Sequence, residues 1–214
     1  MTVYLTFLLA AIIAFFLGSI PGGILIGKIF YRTDIREVGS GNIGTTNAIR
    51  ALGKVGGYGV FVIDFTKGLL SGLIAGYLAS IALGGQAAAN SGLNIADFLA
   101  LAFAFCVWGH IFCPWLNFKG GKGIAVAVGC LFATFGPIGA ILELASFGIV
   151  VVLSKYVSAG SIVAAALCPF FALYYFWGDW LAVILCTAGA LTVLWAHRGN
   201  IQRLLSGTER KLGQ

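Results

Sequence analysis

Residues 36–54 read REVGSGNIGTTNAIRALGK, and they are the polar hinge of an otherwise apolar chain. The stretch is glycine-rich and basic, and it follows directly on the first hydrophobic segment. Gly39, Gly41 and Gly44 lack a Cβ, so the backbone there can turn tightly and come close to a ligand. Hydroxyls follow at Thr45 and Thr46, and Thr and Asn are good helix N-caps, so a helix is expected to start here. Thr46, Asn47 and Arg50 then share a face of its first turns. Free N–H groups at a helix start, beside an arginine fork, suit a phosphate. A solvated loop with an ordinary cap is the other reading.

Outward from this hinge the chain is grease. Of 214 residues, 60% are apolar and only 9% are charged, which excludes a soluble protein of this size. Several runs approach the roughly 20 apolar residues that cross a bilayer. The net charge of +6 does not point to nucleic acid. The basic residues cluster in short loops between apolar runs, as the positive-inside rule expects. One domain, 1–214, is expected. The first run has no Ala-x-Ala-type site after it and is read as a retained span. Five cysteines, all in or beside apolar runs, read as free buried thiols.

The expected spans are 3–27, 55–83, 95–116, 124–135, 138–153, 156–177 and 180–196. Gly22–Lys28 matches GxxxxGK, but Ile29 stands where a P-loop needs Ser or Thr, and no strand precedes it. Gly23 and Gly27 are better read as a helix-packing face, as are Gly68, Gly72 and Gly76. Asp64 and Lys67, three apart inside a span, read as an ion pair, or else the segment enters at the interface and only 68–83 crosses. Residues 84–94 hold no Lys or Arg and should be external. Glu143 is expected near the external turn at Gly136–Pro137.

Two further stretches are polar. Residues 109–123, GHIFCPWLNFKGGKG, set Lys119 and Lys122 around paired glycines before a new helix, again a phosphate-like or membrane-anchoring arrangement. The tail, HRGNIQRLLSGTERKLGQ, puts His197, Asn200, Ile201, Leu204 and Leu205 on one helical face. All but Lys67 of the 13 basic residues fall in or beside the loops that carry these motifs. The expected fold is therefore an all-α integral membrane bundle of seven helices, N-terminus outside and C-terminus cytoplasmic. Its three polar motifs meet at the cytoplasmic face. With two histidines and no carboxylates paired near them, no metal site is expected. No cofactor is expected either. His110 and Cys113 are three apart, the spacing of an acyl-enzyme pair, without any sign of an activated thiol. The HxxxxD acyltransferase pattern is absent.

Taken together, SGNIGTTNAIR, GHIFCPWLNFKGGKG and HRGNIQRLLSGTE resemble the three motifs of the bacterial acyl-phosphate:glycerol-3-phosphate acyltransferase (PlsY) family, in order and spacing, over the whole chain. The resemblance implies a cell (inner) membrane enzyme that moves a fatty acyl group from acyl phosphate to the 1-position of glycerol 3-phosphate. The products are lysophosphatidic acid and phosphate, at the first step of phospholipid synthesis. It implies catalytic roles for Ser40, Arg50, His197 and Asn200, and a structural role for Glu209. It places substrate at Gly120, Gly121, Lys122 and Gly123, with Asn42, Gly44, Thr46, Asn47, His110 and Lys119 around them. Ser158 and Ser161 resemble a further serine-bearing stretch, and sequence does not choose between them. The expected partners are the two substrates, the bilayer and the soluble enzyme that makes acyl phosphate, with no nucleic acid. Cys113 and Gly199 depart from the residues expected in many members. The alternative is a transporter of a phosphorylated metabolite, which should carry its site near the membrane midplane.

Overall fold

The computed structural model describes residues 2–84 and 91–212, and these are helical throughout their regular elements. Residues 85–90 of the expected external loop, and the last two residues of the tail, lie outside the described residues. The helices are α1 (Val3–Gly18), α2 (Gly22–Tyr31), α3 (Thr45–Leu83), α4 (Ile95–Ile111), α5 (Ile124–Thr134), α6 (Gly136–Ser154), α7 (Val157–Tyr175), α8 (Trp180–Ala196) and α9 (Arg198–Leu205). Five segments are long and apolar enough to cross a membrane, counting α1 with α2 as one, and six if the bent pair α8–α9 is counted too. At 11 residues α5 is about 17 Å long, short of the roughly 30 Å hydrocarbon core.

Helix α4 is the hub. Phe98, Phe103 and Val107 are buried on it, and it packs against α1, α3, α5 and α8. Without bulk lipid being squeezed out, membrane helices associate through close backbone approach, which needs small residues. Gly18 on α1 lies against the Cys106 carbonyl, and Gly109 on α4 lies against that of Phe15. The predicted stripe on α3 works in the same way: Gly68 meets the Val126 carbonyl and Gly72 the Ala133 methyl of α5. Gly23 and Gly27 do not. They approach the carbonyls of Ile43 and Thr33, so their small size seats the polar hinge and not a neighbouring helix.

Two breaks were not foreseen. The first span divides at Ser19–Pro21, because Pro21 has no N–H to continue the helix. The carbonyl of Ile20, at that break, accepts a hydrogen bond from Lys67 Nζ at 2.7 Å. Helix α3 starts ten residues before the expected span and is interrupted at Gly53, whose φ of 77° and ψ of −179° are glycine geometry. Its first two turns thus stand apart from the membrane-crossing part.

Lys67 Nζ donates to Ile20 O and to His110 Nδ1 at 2.9 Å, and forms an ion pair with Asp64 Oδ1 at 2.8 Å. The expected ion pair is present and buried, with Lys67 4% and Asp64 1% exposed. Glu143 is also corrected. It is not at the external turn but two turns inside α6, 5% exposed. Of the expected inward face, His197 and Asn200 are buried and Ile201 and Leu204 half-buried, but Leu205 is 84% exposed.

Candidate functional site

The hinge is held by one side chain. Asn47 Oδ1 accepts from Ser40 N at 2.8 Å, while Nδ2 donates to Ile35 O and Asn42 O, each at 2.8 Å. Both amide N–H groups are spent on backbone. Asn47 therefore shapes the loop, and it also lines the cleft. Asn42 is similarly local, its Oδ1 accepting from Gly44 N at 2.9 Å. Before the hinge, Arg36 grips Asp34 at 2.9 and 2.6 Å, and this hydrogen bonding holds the Asp34 carboxyl down at about 2. The outcome is a helix start at Thr45 with no side chain capping it. Gly44, Thr45, Thr46 and Arg50 face a cleft, as does Ser40.

The second motif folds back on the end of α4. Gly120 N donates to Ile111 O at 2.9 Å and Gly121 N to His110 O at 3.2 Å, satisfying carbonyls that a helix C-terminus leaves open. A Cβ on Gly120 would strike the His110 carbonyl, and one on Gly121 would strike His110 Nε2. The close packing of His110 thus accounts for the lack of a Cβ at these two positions. Lysine only donates, so His110 Nδ1 is an acceptor toward Lys67, and the ring's proton lies on Nε2. His110 joins the buried ion pair to the glycine loop. Lys122 and Gly123 line the cleft, whereas Lys119 is exposed and outside it, and neither Gly120 nor Gly121 lines it.

The tail closes the third side. His197 follows the last residue of α8, and its Nδ1 bonds the Val193 carbonyl at 2.8 Å. A carbonyl only accepts, so Nδ1 carries the proton and Nε2 keeps its lone pair. Burial pulls the imidazole down to about 4, against the raising effect of that carbonyl. Asn200 Nδ2 donates to Glu209 Oε1 and Arg203 Nε to Glu209 Oε2, each at 2.6 Å. Burial would raise the Glu209 carboxyl, but the hydrogen bonds from Asn200 and Arg203 outweigh it and hold it low. Asn200 keeps one amide N–H and its carbonyl. Ser161 turns its hydroxyl back onto Val157 O at 3.0 Å, while the Ser158 hydroxyl is buried beside Glu209 without a hydrogen-bond partner among the described residues. Arg203 is a site residue that the sequence reading missed, since nothing in its spacing marks it.

Ser40, Arg50, Lys122, Ser158, His197, Asn200, Arg203 and Glu209 line one cleft of about 1170 Å³. Its mouth holds Arg50 and Lys122. No carboxylate lies within ion-pair distance of either among the described residues. Burial lowers the Lys122 ammonium to about 8, with Glu209 raising it and Arg203 and Arg50 lowering it further. Deeper, the walls become apolar with Phe103, Leu131, Leu144 and Phe147. Among the described residues no three His, Cys, Asp or Glu side chains cluster to hold a metal. Cys113 Sγ donates to Ser19 O at 3.1 Å and His110 Nδ1 faces Lys67, so the two are not a nucleophile–base pair.

A polytopic helical protein with an unneutralised cationic mouth opening into an apolar groove is built for a molecule with an anionic head and a greasy tail. The glycerol-3-phosphate acyltransferase family model matches residues 8–207. A glycerol-3-phosphate acyltransferase of Listeria monocytogenes is 38% identical over 206 residues, 96% of each chain. One from Thermosynechococcus vestitus is 39% identical over 209 residues, 96% of this chain and 94% of that one. The crystal structure of PlsY, an integral membrane glycerol 3-phosphate acyltransferase, in its glycerol 3-phosphate form superposes with a TM-score of 0.82. It shares 34% identity and covers 97% of this chain and 96% of that chain. Its lysophosphatidic acid form gives a TM-score of 0.80 at 33% identity, over 97% and 95%. The chain belongs to the glycerol-3-phosphate acyltransferase family, the PlsY family, and is a multi-pass membrane acyltransferase.

Proposed function

We propose that this single 1–214 domain transfers a fatty acyl group from acyl phosphate to the 1-position of glycerol 3-phosphate, giving lysophosphatidic acid and phosphate, the first step of phospholipid synthesis. The observation that carries the reading is the meeting of Arg50, Lys122, His197 and Asn200 in one cleft with an apolar inner wall. Two anionic substrates need cations that no carboxylate already neutralises, and Arg50 and Lys122 are such cations. The uncapped start of α3 adds free N–H groups for the same phosphates.

In the reaction the 1-hydroxyl oxygen attacks the acyl carbonyl carbon. The bond from that carbon to the bridging phosphate oxygen breaks, and inorganic phosphate leaves. Ser40 and the spare N–H of Asn200 are the donors for the developing oxyanion, each worth roughly 2.7–4 kcal/mol in such a role. His197 Nε2 accepts a hydrogen bond from the attacking hydroxyl and orients it. At about 4 its imidazole is a weaker base than a phosphate group, whose second ionisation lies near 6. The proton therefore ends on the departing phosphate. Asn42, Gly44, Thr46 and Gly123 shape the phosphate end of the site. Glu209 keeps Asn200 and Arg203 in register.

The chain sits in a bacterial cell (inner) membrane with seven crossing segments, α5 being short and tilted, and with its N-terminus outside. The motif face carries the basic loops and is cytoplasmic, where soluble glycerol 3-phosphate and the enzyme supplying acyl phosphate would meet it. A reporter fused after Gln214 checks the orientation: phosphatase activity without fluorescence there reverses it. The activity test is purified protein with glycerol 3-phosphate and either acyl phosphate or acyl-CoA, following lysophosphatidic acid. Equal rates with the two donors refute the donor assignment.

A further inference from the structure

Glu143 is a carboxyl where a bilayer tolerates one least. It is 5% exposed on α6, and its Oε2 has no hydrogen-bond partner. Twelve residues of helix, about 18 Å, separate it from Lys155 at the motif face, which places it near the middle of a roughly 30 Å core. Its contact with the Cys168 thiol gives the same depth, ten residues or about 15 Å along α7 from Ser158. Ionisable side chains at such depth are rare and mark function. No step of acyl transfer uses this one.

The cleft reaches it. Glu143 and Cys168 lie at its inner end, and the wall between them and the polar mouth is Phe103, Val128, Leu131, Leu144, Phe147 and Ala165. An extended tail entering at the mouth covers this apolar distance with roughly a dozen methylenes. Beyond that its methyl group meets a carboxyl and seals it from any partner, which is unfavourable.

We infer that Glu143 is the polar floor of the acyl groove and sets the tail length that this enzyme prefers. The inference rests on the acyl-transfer reading above. A tail that stops short of Glu143 packs on apolar wall throughout, and a longer one must crowd the carboxyl or leave the groove. A residue that merely pinned α6 to α7 through Cys168 would alter stability and leave the length preference unchanged.

The test uses the full-length protein in a lipid bilayer, with lauroyl, myristoyl, palmitoyl and stearoyl phosphates as donors and lysophosphatidic acid as readout. The parent should favour myristoyl over stearoyl phosphate. Glu143→Leu, similar in size but apolar, should raise the stearoyl-to-myristoyl ratio of kcat/KM about tenfold, the scale on which apolar pockets discriminate by length. Glu143→Gln keeps a polar floor and should keep the parent ratio. A folded, active Glu143→Leu with the parent ratio overturns the inference, as does a parent that is indifferent to length. Should Glu143→Leu fail to fold, Ala164→Leu narrows the same wall above the floor. It should then cut myristoyl relative to lauroyl transfer about tenfold, and an unchanged ratio overturns the inference. Transfer with a flat length profile sinks this inference alone, while no transfer from any donor sinks the acyl-transfer reading and this with it.

Discussion

Raising the pH should disable substrate capture through Lys122 before it harms the fold. Burial holds the Lys122 ammonium near 8, well under the ordinary 10.5. The parameter kcat/KM reports ionisations of the free enzyme, so the fall should appear there. Above about 8 each further pH unit leaves about a tenth of the charged form, so kcat/KM for glycerol 3-phosphate should fall close to tenfold per unit. A bound phosphate dianion stabilises the ammonium, so kcat should change less over the same range. The substrate's own second ionisation lies near 6 and is complete before this limb begins. Folding responds with the opposite sign. A lysine whose proton is held more weakly in the folded state than in the unfolded one contributes stability that rises with pH between about 8 and 10.5. Unfolding driven by this group therefore cannot produce the limb. The assay is initial-rate phosphate release across the alkaline range, blanked for spontaneous hydrolysis of the donor. Lys122→Arg should abolish the limb whatever its effect on the maximum rate, because guanidinium stays charged. A limb of unchanged midpoint in Lys122→Arg would refute the reasoning.

Arg50→Lys should lower kcat/KM by roughly ten- to a hundredfold in steady-state kinetics, because one charge-assisted hydrogen bond of about 1.5–3 kcal/mol is lost with the planar fork. Parent rates in that variant would reduce Arg50 to a membrane-surface charge. Gly121→Ala should damage the fold of the loop and not simply weaken substrate binding, since its Cβ would enter the His110 ring. Thermal unfolding in detergent should drop by several degrees, whereas Gly148→Ala, where a Cβ meets nothing within 4 Å, should not. Lys67→Met should cost about 3–5 kcal/mol by stranding Asp64 as a buried unpaired charge. The double variant with Asp64→Leu should regain part of that loss in the same melting assay, and a double variant no more stable than the single one contradicts it.

Hydropathy and charge placement made the helical class legible, because a bilayer demands long apolar runs and sorts basic loops to one face. The motif residues at the cleft were legible too, from glycines and cations standing out of an apolar background. What stayed hidden was set by tertiary partners. Asn47 looks like a ligand-binding amide in sequence, yet its donors go to Ile35 and Asn42. Gly120 and Gly121 look like a phosphate cradle, yet the space they vacate is filled by His110. Lys119 and Lys122 are equivalent by spacing, but the loop's return onto α4 turns one outward and the other into the cleft. Helix breaks at Ser19–Pro21 and Gly53 interrupt stretches whose hydropathy runs on through them. Ser158 and Ser161 separate only once α7 is built, one hydroxyl bonded to its own helix and the other left without a hydrogen-bond partner among the described residues.

The cations of this protein divide by depth, and the division is what lets a membrane protein hold a dianion. Lys67 lies inside the bundle, where an unmatched charge would be ruinous, and it is paired with the Asp64 carboxylate and hydrogen-bonded to Ile20 O and His110 Nδ1. Arg50 and Lys122 lie at the mouth, where water limits the cost, and they have no carboxylate partner. Burial, and to a smaller degree repulsion from Arg203 and Arg50, lowers the proton affinity of Lys122, and an entering phosphate offsets that repulsion. The two sets are physically joined. Lys67 fixes His110, and His110 packs on Gly121, one residue before Lys122. A fully compensated charge network in the core thus fixes the position of an uncompensated one at the surface. The first holds the scaffold in place, while the second leaves Arg50 and Lys122 without a carboxylate at ion-pair distance among the described residues and ready for an external anion.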